Sequence, residues 1–239
     1  MPQIRIERTP IKNYGIGVLG ADHLLLTFVP DEYASDLAQD NWFVIEGLKA
    51  AAPGGHLLGV DGTDGQTTLS EANEGLTGSA LVAAIGTPAV RNSTVVNFPQ
   101  GAFEAWQTMA GYAHDIDEQF LPYQFYAPPY GPIPTSNSSS VVASLLFYAG
   151  IDVSQVMPLG WRHFTAGATT LLGTSGNDEM FVDANFKHLL GGDGSDILHG
   201  SDGNDRLNGG RDADLFHWSA GFDHIHGGQF NLDYTRDGE

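Results

Sequence analysis

Along the first 168 residues the apolar positions change period more than once. The stretch DHLLLTFV, Asp22 to Val29, is apolar almost throughout and stops at Pro30, which predicts a strand. NWFVIEGL, Asn41 to Leu48, predicts the next one, reached through the acidic, turn-rich link DEYASDLAQD. Gly54 and Gly55 lead into HLLGV, a third strand, which the loop DGTDGQ follows. From Gly101 the period becomes helical, with Phe103, Trp106, Ala110, Ala113 and Ile116 on one face. That helix should end before Leu121-Pro122, where the aromatic, proline-rich loop YQFYAPPYGPIP begins. A second helix is expected from Ser138 to Ala149, with Val141, Val142, Leu145 and Leu146 buried and Gly150 as its terminator. Asn137 or Ser138 would cap it by accepting hydrogen bonds from amides that have no partner in the first turn.

From Gly173 the period changes again, to nine. The units are GTSGNDEMF, VDANFKHLL, GGDGSDILH, GSDGNDRLN, GGRDADLFH and WSAGFDHIH. Position eight is apolar every time: Met180, Leu189, Leu198, Leu207, Phe216 and Ile225. Position six is Asp178, Asp196, Asp205, Asp214 and Asp223, interrupted by Lys187. Position four carries Gly176, Gly194, Gly203 and Gly221. This frame resembles the glycine- and aspartate-rich calcium-binding repeat of RTX proteins. The resemblance implies a parallel β-roll, in which six residues turn and three form a short strand with one apolar side chain inward. Two repeats complete one coil, so turns two repeats apart stack on one edge. Calcium between stacked turns would take an Asp carboxylate from each, with backbone carbonyls of the loops that hold Gly176, Gly194 and Gly203, at roughly 2.3–2.6 Å. One edge then carries Asp178, Asp196 and Asp214, and gives two inter-turn sites. The other carries Lys187, Asp205 and Asp223, and gives one, because the Lys187 ammonium spoils its neighbour. The repeat weakens after Ile225 in GGQFNLDYT, which is expected to cap the roll. His199 and His217, two repeats apart, should stack on one outer face, as a polar surface or a transition-metal site.

Composition narrows the choices. The formal charge is −19, from 29 acidic residues against 10 basic ones. Such a surface repels phosphate backbones and anionic lipid, which argues against nucleic-acid binding and suits a cation binder. With 41% hydrophobic residues the chain can bury a real core. The absence of cysteine removes disulfides, thiolate catalysis and thiolate zinc sites together. It is compatible with the cytosol and with export of an unfolded chain to an oxidising exterior. MPQIRIERTP is polar and mixed in charge, unlike a cleavable signal, and no apolar run approaches the ~20 residues of a membrane span.

The order of elements before the repeat resembles the circularly permuted papain-like hydrolases of the NlpC/P60 and LRAT type. In that pattern a strand histidine comes first, and a nucleophile in an N-C-x-x motif opens a later helix. Asn137-Ser138-Ser139-Ser140-Val141 matches the motif with Ser138 at the cysteine position, and Trp161 in PLGW resembles the closing segment. The resemblance implies Ser138 as nucleophile and His23 as general base, with Glu46 or Asn41 orienting the imidazole. His56 is the rival base, while His114 and His163 read as surface or structural residues. A hydroxyl attacks only when a neutral imidazole removes its proton, and a helix N-terminus can stabilise the resulting oxyanion.

The expected architecture is an α+β papain-like domain over residues 1–168, followed by an RTX β-roll over 169–239. One functional reading is a secreted or cell-surface serine-variant hydrolase or acyltransferase acting on an amide or ester. The other is a non-catalytic, calcium-dependent binding or surface-structure module. An antibacterial or host-directed toxin domain would differ from the first in target rather than in chemistry. The expected partners are calcium and an unknown substrate or surface ligand, with no nucleic acid and no membrane span.

Overall fold

A computed structural model describes residues 1–10, 22–35, 41–49, 57–59, 93–119, 121, 136–156, 167–227 and 232–236. The first unit is an antiparallel sheet of β1 (Gln3–Pro10), β2 (Asp22–Val29), β3 (Phe43–Lys49), β4 (Leu57–Gly59) and β5 (Thr94–Val96). Its order is β4-β3-β2-β1-β5. β2 has the bounds the sequence predicts, β3 begins two residues later than expected, and β4 falls within the expected third strand. Strands β1 and β5 were not foreseen. In β1, Ile4 and Ile6 are fully buried and alternate with Arg5 and Glu7. That is the period-two pattern of a strand with two different faces. On the second face Glu7 is also buried, and its Oε1 accepts a hydrogen bond from Thr27 Oγ1 at 3.0 Å.

Helix α1 (Ala102–Glu118) buries Ala105, Trp106, Met109, Ala110, Ala113 and Ile116. Phe103, expected on that face, is instead 60% exposed. It sits in the first turn, at the margin of the stripe, and meets Phe28 edge-on, with ring centroids 6.3 Å apart. Helix α2 (Ser138–Tyr148) is buried all round from Ser138 to Leu146. A helix with no polar face belongs inside a protein, and α2 lies between β2 and β3 on one side and the first strand of the roll on the other. Gly47 allows this: a Cβ there would come within 2.7 Å of Val141 Cγ2 and 2.9 Å of Ser138 Cα. Gly150, at φ +79°, ends the chain's helical course after Tyr148 as expected. A short helix α3 (Val153–Val156) follows.

The second unit is a parallel solenoid of two four-stranded sheets. One holds β6 (Thr170–Leu172), β8 (His188–Gly192), β10 (Arg206–Gly210) and β12 (His224–His226). The other holds β7 (Glu179–Phe181), β9 (Ile197–His199), β11 (Asp214–Trp218) and β13 (Leu232–Arg236). Partners lie one coil apart, as in Leu171↔Leu189 and Leu198↔Phe216. The roll therefore begins one strand before Gly173. It also does not end at Ile225, because β13 continues the register with Phe216↔Tyr234. Inside, Leu171, Met180, Leu189, Leu198, Leu207 and Phe216 are buried, so position eight supplies the roll's core. These side chains, both helices and the α2-facing residues of the sheet form one continuous apolar cluster. Leu25, Val29, Trp42 and Val44 form a separate cluster on the sheet's other face.

Candidate metal centre

The nine-residue period places the position-six aspartates above one another on two edges. On the first, the Asp178 amide donates to Asp196 Oδ1 at 2.9 Å, and the Asp196 amide to Asp214 Oδ1 at 3.1 Å. On the second, the Asp205 amide donates to Asp223 Oδ1 at 3.0 Å. Asp178 and Asp205 are further held at Oδ2 by the amides of Thr174 and Ser201, each at 2.6 Å, and by their hydroxyls at 3.0 Å. The remaining oxygens face inward. Oδ2 of Asp196, Asp214 and Asp223, and Oδ1 of Asp205, are buried without a hydrogen-bond partner. A buried carboxylate oxygen in that state is costly unless a cation meets it. Burial, and then the like charges of Asp178 and Asp214, push the Asp196 carboxyl up to about 7. Burial and Asp212 push Asp214 up to about 6.

Backbone oxygens crowd the same edges. A Cβ on Gly191 would lie 2.2 Å from Asp196 Oδ2 and 2.5 Å from the Gly209 carbonyl oxygen. At position four, Gly194 has φ +108°, and a Cβ there would lie 2.3 Å from the Gly176 carbonyl oxygen. Gly203 is stacked likewise beneath Gly221, whose Cβ would lie 1.9 Å from the Gly203 carbonyl oxygen. Among the described residues no three His, Asp or Glu side chains converge on one point. A resident ion would therefore draw on paired carboxylates together with backbone carbonyls, an all-oxygen donor set that fits calcium. Lys187, at position six of the second edge, is exposed, and its amide donates to the Thr169 carbonyl at 2.9 Å.

The rings of His199 and His217 stack at 4.7 Å and 8°, and Phe181 stacks on His199 at 4.2 Å. Glu179 Oε1 lies 3.1 Å from His199 Nε2. The expected stacking is present. Parallel rings aim their nitrogens side by side rather than at a common centre, so the ladder reads as surface packing.

At the other candidate site, Asn137 is the cap. Its Oδ1 accepts from the Ser139 amide at 2.9 Å, and Ser140 Oγ accepts from the Asn137 amide at 2.8 Å. This reciprocal capping box makes Ser138 the first helical residue, 4% exposed, rather than the cap. Ser138 lies over Gly47, on the face of the sheet that α2 covers. Glu46, adjacent in β3, is buried and opposite Leu25, which belongs to the cluster on the other face. The structure thus does not bring Glu46 and Ser138 together. His23 lies two residues before Leu25 in the same regular strand, opposite Thr9, and its side chain lies outside the described residues. Asn41 and His114 are exposed, with His114 Nε2 3.5 Å from Glu118 Oε1. His56, Trp161 and His163 lie outside the described residues.

The sequence did not reveal how the roll is attached. The Tyr148 hydroxyl donates to the Leu172 carbonyl at 2.9 Å, and Ser144 Oγ accepts from the Leu172 amide at 2.9 Å. Gln119 Nε2 donates to the Gly173 carbonyl at 3.2 Å, and both Asp115 carboxylate oxygens accept from Ser175. Lone polar residues at helix ends carry no periodic signal.

Residues 188–217 match the family model of the RTX calcium-binding nonapeptide repeat, in four copies. No curated protein and no solved structure matches the chain. Residues 170–226 form a parallel β-solenoid consistent with an RTX β-roll, and the ion that such repeats bind is calcium.

Proposed function

We propose that this chain is an exported calcium-dependent binding or surface-structure module, in which calcium between stacked turns completes the roll. Asp178, Asp196 and Asp214 would serve one edge, and Asp205 and Asp223 the other, with carbonyl oxygens from the turns of Gly176, Gly194 and Gly203. The observation that carries this reading is the set of four inward carboxylate oxygens with no hydrogen-bond partner. The negative charge of −19 supports it, since the chain needs cations to bring its acidic turns together. Export in an unfolded state fits a roll that folds only where calcium is abundant, and among the described residues no helix is long and apolar enough to cross a membrane. Calcium titration of the full chain, followed by far-UV circular dichroism, tests the reading. The β signal should fall in chelator and return with calcium; identical spectra would overturn it.

A second reading keeps the papain-like α+β unit over residues 1–168 as a hydrolase or acyltransferase with Ser138 as nucleophile. It is favoured by the opening of a central helix against an antiparallel sheet at Gly47. It needs its histidine base, His23 or the rival His56, on the α2 face of the sheet, and Glu46, the residue that would orient that base, stands on the other face. A fluorophosphonate probe that labels the native chain but not Ser138→Ala would support it, and no labelling would remove it.

A further inference from the structure

The gaps between stacked turns are not equivalent, because one of them is held from outside the roll. The first gap on the Asp178 edge lies between the turns of residues 173–178 and 191–196. Gln119, just beyond α1 and 2% exposed, touches both. Its Nε2 donates to the carbonyl of Gly173 in the first turn, at 3.2 Å, and its Oε1 accepts from the amide of Asp193 in the second, at 3.3 Å. The fit is close: a Cβ on Gly192 would lie 1.9 Å from Gln119 Oε1. One turn back along α1, Asp115 holds the first turn through the amide and hydroxyl of Ser175. The last carbonyls of a helix present its negative end, and the Asp115 carboxylate adds a full charge at the same place.

We propose that Gln119 and Asp115 are positioning residues that make this first gap a helix-anchored calcium site, tighter than the other gaps and coupled to the N-terminal unit. The proposal rests on the calcium reading above. A site whose two halves are already fixed loses less entropy on closing around an ion than two free turns do. Among the described residues, the hydrogen bonds from Asp115 and Gln119 reach the turns of this first gap, and none is seen from them to the turns of Asp214, Asp205 or Asp223. Coupling works in both directions, so calcium in the first gap should also tighten α1.

Calorimetric titration with calcium alone, on the full chain, compares wild type with Gln119→Met, Asp115→Asn and Asp223→Asn. Gln119→Met should weaken the tightest step about tenfold, the scale of about one buried hydrogen bond, and leave the other steps in place. Asp115→Asn should weaken the same step, whereas Asp223→Asn should remove a weaker one. Hydrogen exchange on the wild-type chain gives a readout that does not depend on a variant folding: amides of residues 102–118 should gain protection with calcium. Unchanged steps in Gln119→Met, losses spread evenly over all steps, or calcium-independent exchange in α1 would each overturn the proposal. Absence of any calcium binding by the wild type would sink the underlying reading and this proposal with it.

Discussion

Asp178 and Asp196 are a full coil apart along the chain, yet the amide of the first donates to Oδ1 of the second at 2.9 Å, while Oδ2 of Asp196 turns inward with no partner. The ladder thus uses one oxygen of Asp196 to set the spacing of the turns and leaves the other for a cation. Asp214 divides its two oxygens in the same way with respect to Asp196. The hydrogen bonds that stack the coils also bring like charges together, and that conflict makes the roll conditional on solution conditions.

One condition is pH. The Asp196 carboxyl is raised to about 7 and that of Asp214 to about 6, chiefly by burial, from an ordinary value of 3.8. A group whose folded pKa is raised stabilises the fold while protonated, and that contribution is lost as pH rises through the folded value. The calcium-free chain should therefore be more stable near pH 5 than at pH 7.5, and calcium should displace protons and bind more weakly as pH falls below about 7. Thermal melts of metal-stripped protein at the two pH values check this. Asp196→Asn should flatten the difference, and a metal-free melting temperature that rises from pH 5 to 7.5 would contradict it.

The two edges should respond unequally to loss of a carboxylate. Asp196 serves the gaps toward both Asp178 and Asp214, whereas Asp223 faces Asp205 alone among the position-six aspartates described. Asp196→Ala should remove or weaken two calcium-binding steps and Asp223→Ala one. Equal losses in calorimetric titration would show that the coils do not share Asp196 in this way.

Gly47 makes a separate test of the core. A Cβ there meets the backbone of Ser138 at 2.9 Å, and backbone cannot swing aside. Gly47→Ala should cost about 1–3 kcal/mol, the usual scale of overpacking, measured by denaturant unfolding with calcium held saturating. A neutral result would mean that α2 is free to shift away from β3.

The roll was legible in the sequence because its physics repeats: one apolar residue inward and one aspartate at the turn, every nine residues, fix register without reference to anything distant. The strand of Leu24 and Leu26 and the helix of Val141 and Leu145 were legible through their apolar runs. β1 was misread as a polar terminus, although Ile4 and Ile6 alternate with Arg5 and Glu7, because charged residues that become buried in the sheet look solvent-facing in the sequence. Glu7 is such a residue, and one of its carboxylate oxygens accepts from a threonine on the neighbouring strand. The first strand of the roll lies inside the expected domain but was not read as a repeat, because position six of its unit is Thr169 and not aspartate, although Gly167 and Leu171 keep positions four and eight. The clamp from Asp115 and Gln119 is a tertiary contact across more than fifty residues, and no local pattern encodes it.

The serine cluster yields the last prediction. Asn137 and Ser140 form the reciprocal hydrogen bonds of the capping box, so the cap's contribution resides in them and not in Ser138. Asn137→Ala should destabilise the chain by about 0.5–2 kcal/mol. Gly167, at φ +94°, packs against the same side chain: a Cβ there would lie 2.7 Å from Asn137 Oδ1. Truncating Asn137 therefore also leaves a gap beneath the residues that lead into β6, which places the expected cost toward the upper end of that range. Ser138→Ala removes a hydroxyl that plays no part in the box, and should cost clearly less. Parallel urea melts of the two variants with calcium present give both numbers. A larger loss in Ser138→Ala than in Asn137→Ala would show that the Ser138 hydroxyl has a task at the start of α2 that the capping geometry does not assign to it.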